Sequence, residues 1–371
     1  MHLYLHIPFC VRRCSYCDFS IAVRKRIPAE EYLDAVMKEA TAVEWAGEIR
    51  TIYLGGGTPS LLPSAAIHAL LHELPLKFRN PQSTIRNDIE ITIEANPEDV
   101  TVGSARSWKA AGINRVSLGA QSFDDTVLKW MHRSHDAAQI TRAVQALRNA
   151  GIENFSLDLI FGLPQELGRD WERDLDILCS LLPAHCSLYG LTVEPRTPLD
   201  RWISRGATHP PDDERYAEEY LLAHRRLARD GYQFYEVSNA ARDGFRSQHN
   251  SAYWSGKSYV GLGPAAHSFD GTTRRWNIRA WEAYRRALAE GRSPIESEES
   301  LTDEQRETER LYLGLRTAEG LPITARYRPL PPLTAQGWVE VRDGRLKCTP
   351  EGWLRLDSLV NELTMHSEIQ Q

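Results

Sequence analysis

Three cysteines stand close together near the start of the chain, as Cys10-Val-Arg-Arg-Cys14-Ser-Tyr-Cys17. Where thiols stay reduced, such clustering points to metal ligation and not to disulfide bonding. Two chemistries fit the C-x3-C-x2-C spacing. Structural zinc takes four ligands, commonly in two pairs; no second pair lies nearby, but His6 could complete the set. Three thiolates on a [4Fe–4S] cluster leave one iron without a protein ligand, open to a small molecule. Three unligated, exposed thiols would oxidise readily. The remaining cysteines, Cys179, Cys186 and Cys348, are scattered and read as small core hydrophobes.

The elements that must carry this chemistry alternate in type. Strands are expected at 2–7, 51–56, 89–95, 115–120, 155–161 and 185–193, and helices near 30–46, 64–74, 101–111, 136–150, 168–182 and 212–230. Apolar strands alternating with helices predict a parallel sheet covered by helices. The second strand runs into Gly55-Gly56-Gly57-Thr58-Pro59, the third ends at Glu94 and Asn96, and the fourth is followed by Gln121. The fifth carries Asp158, and the sixth ends at Thr192 and Glu194. Polar groups at or near so many strand ends suit a barrel, which builds its site on that face. An open sheet would gather them at one switch point. The expected fold is therefore α/β, an incomplete parallel (β/α)6-type TIM-like barrel.

Beyond about residue 240 the pattern becomes irregular. Past 290 an acidic, polar stretch leads into a helix through Leu315, and 326–333 (RYRPLPPL) is not expected to be regular helix. Residues 337–353 read as a hairpin turning at Asp343-Gly344, with a last helix after it. The domains expected are 1–290, the barrel, and 291–371, a small α+β unit resembling a winged helix.

The 371 residues carry 44 basic and 50 acidic side chains, a net charge of −6, with 42% hydrophobic residues. That composition excludes disordered, collagen-like and disulfide-scaffold classes. It also argues against a nucleic-acid partner held by bulk positive charge. No apolar run approaches the roughly 18 residues of a membrane span, and the first residues do not read as a secretory leader. A cytoplasmic protein is expected, with peripheral membrane contact still compatible with the sequence.

C-x3-C-x2-C directly after a first strand resembles the signature of the radical S-adenosylmethionine (SAM) enzymes. That resemblance implies a [4Fe–4S] cluster on Cys10, Cys14 and Cys17, with SAM on its open iron. GGGTP (55–59) resembles the family's glycine-rich motif, where a missing Cβ would let the backbone approach the ligand; a tight strand-to-helix turn is the plain alternative. LYLHIPFCVRRCSYCDF, IYLGGGTPSLL, IEANPE, VSLGAQSF, DLIFGLP, LYGLTVEP and GLGPAAHS resemble, in this order, the oxygen-independent coproporphyrinogen III oxidase group. The likeness implies SAM contacts from Tyr4, Tyr16, Gly56, Gly57, Thr58, Glu94, Gln121, Arg133, Asp158, Thr192 and His267. Read without it, Glu94 and Asp158 could be core carboxylates paired with Arg133 or Arg115. Gln121 could cap a loop, Tyr4 could be plain core, and Arg133 could be a solvated charge.

Two departures separate the chain from the oxidase. Phe19 stands where the oxidase has a further cysteine, and the sequence begins nine residues before Cys10 where the oxidase has a longer leading segment. His249-Asn250-Ser251-Ala252-Tyr253-Trp254 resembles instead the HNxxYW haem motif of the HemW haem-chaperone family. Imidazole is a usual axial ligand of haem iron, and aromatic faces suit a porphyrin; a histidine satisfied by packing in an aromatic loop is the plain alternative. The resemblance implies haem at His249, Asn250, Tyr253 and Trp254, haem-accepting partners such as respiratory haem enzymes, and an electron donor for the cluster. The rival reading is a radical SAM enzyme acting on a porphyrin by oxidative decarboxylation.

Overall fold

Strands β1 (His2–Ile7), β2 (Thr51–Gly56), β3 (Glu90–Ala95), β4 (Arg115–Gln121), β5 (Phe155–Phe161) and β6 (His185–Gly190) run parallel, each paired with the next. The structure, a computed structural model, describes residues 1–43, 48–77, 89–324 and 331–368. These are the six expected strands, the sixth stopping at Gly190 instead of running on to 193. Helices Ala29–Ala42, Ser64–Lys77, Val102–Ala110, Ala137–Asn149 and Trp171–Ser180 lie between them in sequence. The end of the first expected helix, 44–46, falls outside the described residues. Two helix starts are fixed by reciprocal side-chain caps, Thr101 with Ser104 and Asp136 with Gln139, which satisfy amides that have no partner in the first turn.

The sheet extends past these six. Tyr259–Leu262 pairs parallel to β1, and His267–Phe269, Thr273–Asn277 and Ile295–Ser300 continue it antiparallel. Asn239–Ala241 and Gln233–Glu236 extend it beyond β6, giving twelve strands in an open order. The irregularity expected after residue 240 is thus replaced by regular sheet. The outermost strand, Ile295–Ser300, is exposed throughout, and Glu298 binds Arg275 across the pair at 3.1 Å. Such a strand lacks a buried face and so shows no period-two pattern in sequence, while its charges discourage edge-to-edge pairing.

The C-terminal segment has the expected order of helix, hairpin and helix. Asp303–Arg316 is followed by Val339–Arg342 and Arg345–Cys348, and then by Leu356–Glu368. Asp343 and Gly344 have φ of 54° and 70°, the left-handed pair a two-residue hairpin requires. Pro331–Ala335 is helical, against the expectation for 326–333. Proline is tolerated in a first turn because its missing N–H would have no partner there; residues 325–330 lie outside the described ones. Leu311, Leu315, Leu346, Trp353 and Leu359 belong to the same apolar core as the strands, and Cys179, Cys186 and Cys348 are buried, as expected.

The HNSAYW segment is not a loop. Gln248–Trp254 is a helix, here called the motif helix, set against the N-terminal ends of the strands. Ser247 caps it by accepting from the Asn250 N–H. The Glu90 carboxylate, at the start of β3, accepts from the Gln248 and His249 N–H groups, both at 2.9 Å. A carboxylate at a helix N-terminus satisfies orphan donors and opposes the helix dipole.

Glu90→Ala removes both charge-assisted bonds from a buried position, and the expected cost is about 1.5–3 kcal/mol. Urea unfolding of the variant checks this; an unchanged midpoint would contradict the role given to Glu90.

Candidate functional site

The cysteine loop leaves the short strand Phe9–Cys10 and is pinned on several sides. The Ser15 N–H donates to the Met131 carbonyl, and Ser15 accepts from the Leu199 N–H. The Arg13 guanidinium bridges the Cys17 and Phe19 carbonyls. Thr58 Oγ1 donates to Cys10 Sγ at 3.3 Å, and Arg133 Nη1 lies 3.7 Å from Cys14 Sγ. Burial pushes the Cys10 thiol up and that of Cys17 to about 11, so a bound cation is what would hold them as thiolates. Among the described residues no three His, Cys, Asp or Glu side chains converge on a single ion position. A cubane takes one thiolate on each of three irons, and a loop presenting three thiols toward one cavity suits it. His6 does not join them: its Nε2 bonds the Ser20 carbonyl and its Nδ1 the Tyr4 hydroxyl.

That cavity, of about 370 Å³, lies over the C-terminal ends of the strands. It brings together the three cysteines with Tyr16, Gly56, Gly57, Thr58, Glu94, Gln121, Arg133, Asp158 and Thr192. Glu94 accepts from the Tyr53 hydroxyl at 2.8 Å and the Gly56 N–H at 3.0 Å; burial raises its pKa to about 7. Asp158 accepts from Ser117 and Ser156 at 2.8 and 2.9 Å, and burial raises it too. Neither carboxylate is paired with Arg133, whose Nη2 donates to Asn96 Oδ1 and the Gly119 carbonyl. Its Nε is buried without a partner. Arg133 Nε is a buried donor that calls for an acceptor such as a carboxylate, and Glu94 and Asp158, each already hydrogen-bonded within the protein, keep further acceptor capacity for a ligand that carries donors.

Tyr4 and His267 do not line the cavity. Tyr4 stacks on Tyr53, with centroids 6.0 Å apart, and His267 is exposed in the antiparallel extension, stacked on Trp276. The glycine motif has a physical reason within the chain itself, besides the ligand approach expected of it. A Cβ on Gly57 would lie 2.8–2.9 Å from the Pro8 and Phe9 backbone, and one on Gly56 would strike the His6 ring. These glycines are required by the chain's own crossing beneath the cysteine loop. Asn96, expected at the end of the third strand, lines the cavity as well, and Tyr53, Ser117 and Tyr189, which the sequence did not single out, join it. These three sit within strands already assigned, so strand alternation was the available signal. Gln121 adopts a left-handed φ of 68° beside a register shift in β4, a conformation that only structure reveals.

The motif helix lies at the opposite end of the strands. His249 is 1% exposed; its Nδ1 bonds Thr51 Oγ1 at 2.7 Å and its Nε2 the Tyr253 hydroxyl at 2.8 Å. Burial lowers its pKa to about 3, leaving the ring neutral. The ring stacks on Tyr53 at 4.9 Å, and Tyr53 in turn holds Glu94. With both nitrogens engaged, His249 would have to give up a hydrogen bond to ligate a metal. Asn250 is half-buried, and Trp254 packs under the Arg316 guanidinium at 4.2 Å.

Residues 4–178 match the family model of the radical SAM superfamily, and 301–355 that of the HemN C-terminal domain. The haem chaperone HemW of Bacillus subtilis is 35% identical over 321 residues, 86% of this chain and 84% of that protein. HemW of Mycobacterium tuberculosis H37Rv is 35% identical over 371 residues, 97% and 94% of the two chains. HemW of Escherichia coli is 37% identical over 273 residues, 72% and 69%. The solved structure of Escherichia coli coproporphyrinogen III oxidase (HemN), a radical SAM enzyme, superposes with a TM-score of 0.81 at 23% identity, covering 100% of this chain and 90% of that one. That last likeness shows the fold. The chain belongs to the HemW family of haem chaperones, within the radical SAM superfamily.

The raised Glu94 pKa has a stability consequence. Between about pH 4.5 and 7 the folded chain holds a proton on Glu94 that the unfolded chain has lost, so its contribution falls as pH rises through that window. Glu39, also raised to about 7 by burial, acts in the same direction, so the variant difference isolates Glu94. Glu94→Gln should flatten the decline in unfolding free energy by up to about 1.4 kcal/mol per pH unit. Parallel slopes for wild type and variant would contradict the burial of this carboxyl.

Proposed function

We propose that the chain holds a [4Fe–4S] cluster on Cys10, Cys14 and Cys17, binds SAM in the adjoining cavity, and carries haem for delivery to acceptor proteins. Membership of the HemW family carries the haem part of this reading, supported by an HNxxYW sequence folded as one helix. The convergence of three thiols, two buried carboxyls and Arg133 on one cavity supports the cofactor part. In this proposal Glu94, Asp158 and Gln121 accept or donate hydrogen bonds to SAM, with Tyr16, Gly56, Gly57, Thr58 and Thr192 around them. Arg133 balances a carboxylate. Tyr4 acts from behind Tyr53, and His267 stands outside unless the ligand or a partner reaches it. Bound to the open iron, SAM supplies one-electron cleavage chemistry, which haem delivery does not itself require.

For haem, His249 and Tyr253 position the motif helix from within, while Asn250 and Trp254 are nearer its surface. Phe19, 60% exposed at the site of the oxidase's extra cysteine, supports the chaperone reading over porphyrin decarboxylation. The proposed partners are haem-accepting proteins, respiratory haem enzymes among them, and an electron donor for the cluster. Nucleic acid has no part. Among the described residues no helix is long and apolar enough to cross a membrane; a cytoplasmic location with peripheral membrane contact is proposed. We also propose a functional division at about residue 290, with Ile295–Ser300 reaching back from the second unit to the sheet of the first.

Anaerobic reconstitution should load about four irons per chain, and replacing Cys10, Cys14 or Cys17 by serine should remove most of them. The same change at Cys179, Cys186 or Cys348 should not, and equal losses from both sets would contradict the ligand assignment. The reconstituted, reduced wild type should bind haem near stoichiometrically yet leave coproporphyrinogen III unconsumed. Robust decarboxylation without haem binding would favour the enzyme reading instead.

A further inference from the structure

Polar side chains continue past the cavity toward the N-terminal ends of the central strands. Ser156 and Asp158 share one face of β5, and His185 and Ser187 one face of β6. Ser156 stands beside His185 in register, and Asp158 beside Ser187. Asp158 lines the cavity, whereas Ser156 and His185 do not, and both of these are wholly buried. Ser156 Oγ lies 2.9 Å from Asp158 Oδ1 and 2.9 Å from His185 Nδ1. His185 Nε2 lies 2.8 Å from the buried Tyr235 hydroxyl, which also meets the Ser247 N–H at 3.3 Å. Ser247 caps the motif helix, so one line of polar contacts joins the two ends of the strands.

The chemistry of the groups fixes the direction of these bonds. A backbone N–H can only donate, so the Tyr235 oxygen accepts from Ser247. The single phenol proton then goes to the other partner, His185 Nε2. Burial, with the Arg115 charge nearby, lowers the His185 pKa well below its ordinary value, and a neutral imidazole carries one proton. With Nε2 accepting, that proton sits on Nδ1 and is donated to Ser156 Oγ. Ser156 is left to give its own proton to the carboxylate, a stronger acceptor than Ser187 Oγ at 3.1 Å. The opposite His185 tautomer would leave the Tyr235 proton buried without an acceptor.

We propose that His185 and Tyr235 are positioning residues for Asp158: the fixed tautomer of His185 commits the Ser156 proton to that carboxylate and holds it in one orientation toward the cavity. The inference rests on the reading of the cavity as the SAM site and goes beyond it by giving work to two residues that do not line the cavity. Donors offered to Asp158 favour its charged form against the burial that opposes it. Because the first donor is the N–H of the helix cap, the setting of the carboxylate also depends on the motif helix being in place.

The test has two readouts. The first is heteronuclear NMR of the imidazole nitrogens in the full chain, with the His185 signals identified by their loss in His185→Asn. Wild type should carry its His185 proton on Nδ1 alone. Tyr235→Phe removes the donor to Nε2 and should move part of the population to the other tautomer, drawing the Ser156 proton away from Asp158. The second readout is the SAM affinity of the cluster-loaded chain. Ser156→Ala, His185→Leu and Tyr235→Phe should each weaken it by about three- to tenfold. His185→Asn, which keeps an N–H near the place of Nδ1, should stay within about twofold of wild type. A wild-type His185 protonated on Nε2, equal losses in His185→Leu and His185→Asn, or unchanged affinity in Tyr235→Phe overturns the proposal. If His185→Leu does not fold, the wild-type tautomer and Tyr235→Phe decide. A wild type with the expected tautomer that binds no SAM removes the SAM reading instead, and with it the ligand role given to His185.

Discussion

The two carboxylate–amide bonds from Glu90 fix the motif helix against the N-terminal ends of the strands, and the contacts that reach the cavity at the other end start from that helix. Parallel strands deliver their C-terminal ends to one side and leave their N-terminal ends to be covered. Glu90 takes the first amides of the helix that covers them, and Thr51 takes the ring of His249. From there the contacts run inward: His249 stacks on Tyr53, and the Tyr53 hydroxyl holds Glu94 at the cavity beside the cysteine loop. In a low-dielectric interior, satisfied networks of this kind fix a geometry, and half-satisfied ones are costly. The helix and the floor of the cavity are therefore set by shared residues.

This arrangement gives the HNxxYW sequence two different jobs. Its inward positions, His249 and Tyr253, bond one another and the sheet. Its outward positions face a cleft beneath the C-terminal unit. A motif read as a string suggests one ligand set. Folded as a helix it is divided by its period, with residues three and four apart sharing a side.

Much of the fold was legible because its physics is local. Six strands with buried side chains on both faces give apolar runs, and the Asp343-Gly344 turn marks its own position. The antiparallel extension was hidden because Arg275, Glu298 and their neighbours face water and break the alternation. The motif helix, seven residues long, is too short to show a helical period. At the site, cysteine spacing and strand-end polarity pointed to most of the residues that meet in the cavity. Tyr53 was missed because a tyrosine in a strand looks like core until its hydroxyl is seen on Glu94. At the glycines the structure adds a constraint that the sequence did not show: the atoms that forbid a Cβ at Gly57 belong to Pro8 and Phe9, distant enough in sequence that spacing alone could not reveal it.

The account is tested most directly by haem transfer. Haem-loaded chain, with its cluster reconstituted, is mixed with an apo-protein that binds haem through histidine, and the products are separated and read by their Soret spectra. Movement of haem to the acceptor, with the donor chain recovered haem-free and able to reload, is the result predicted for a carrier. Haem that remains on the chain in the presence of excess acceptor, or that is consumed as a substrate, would contradict it.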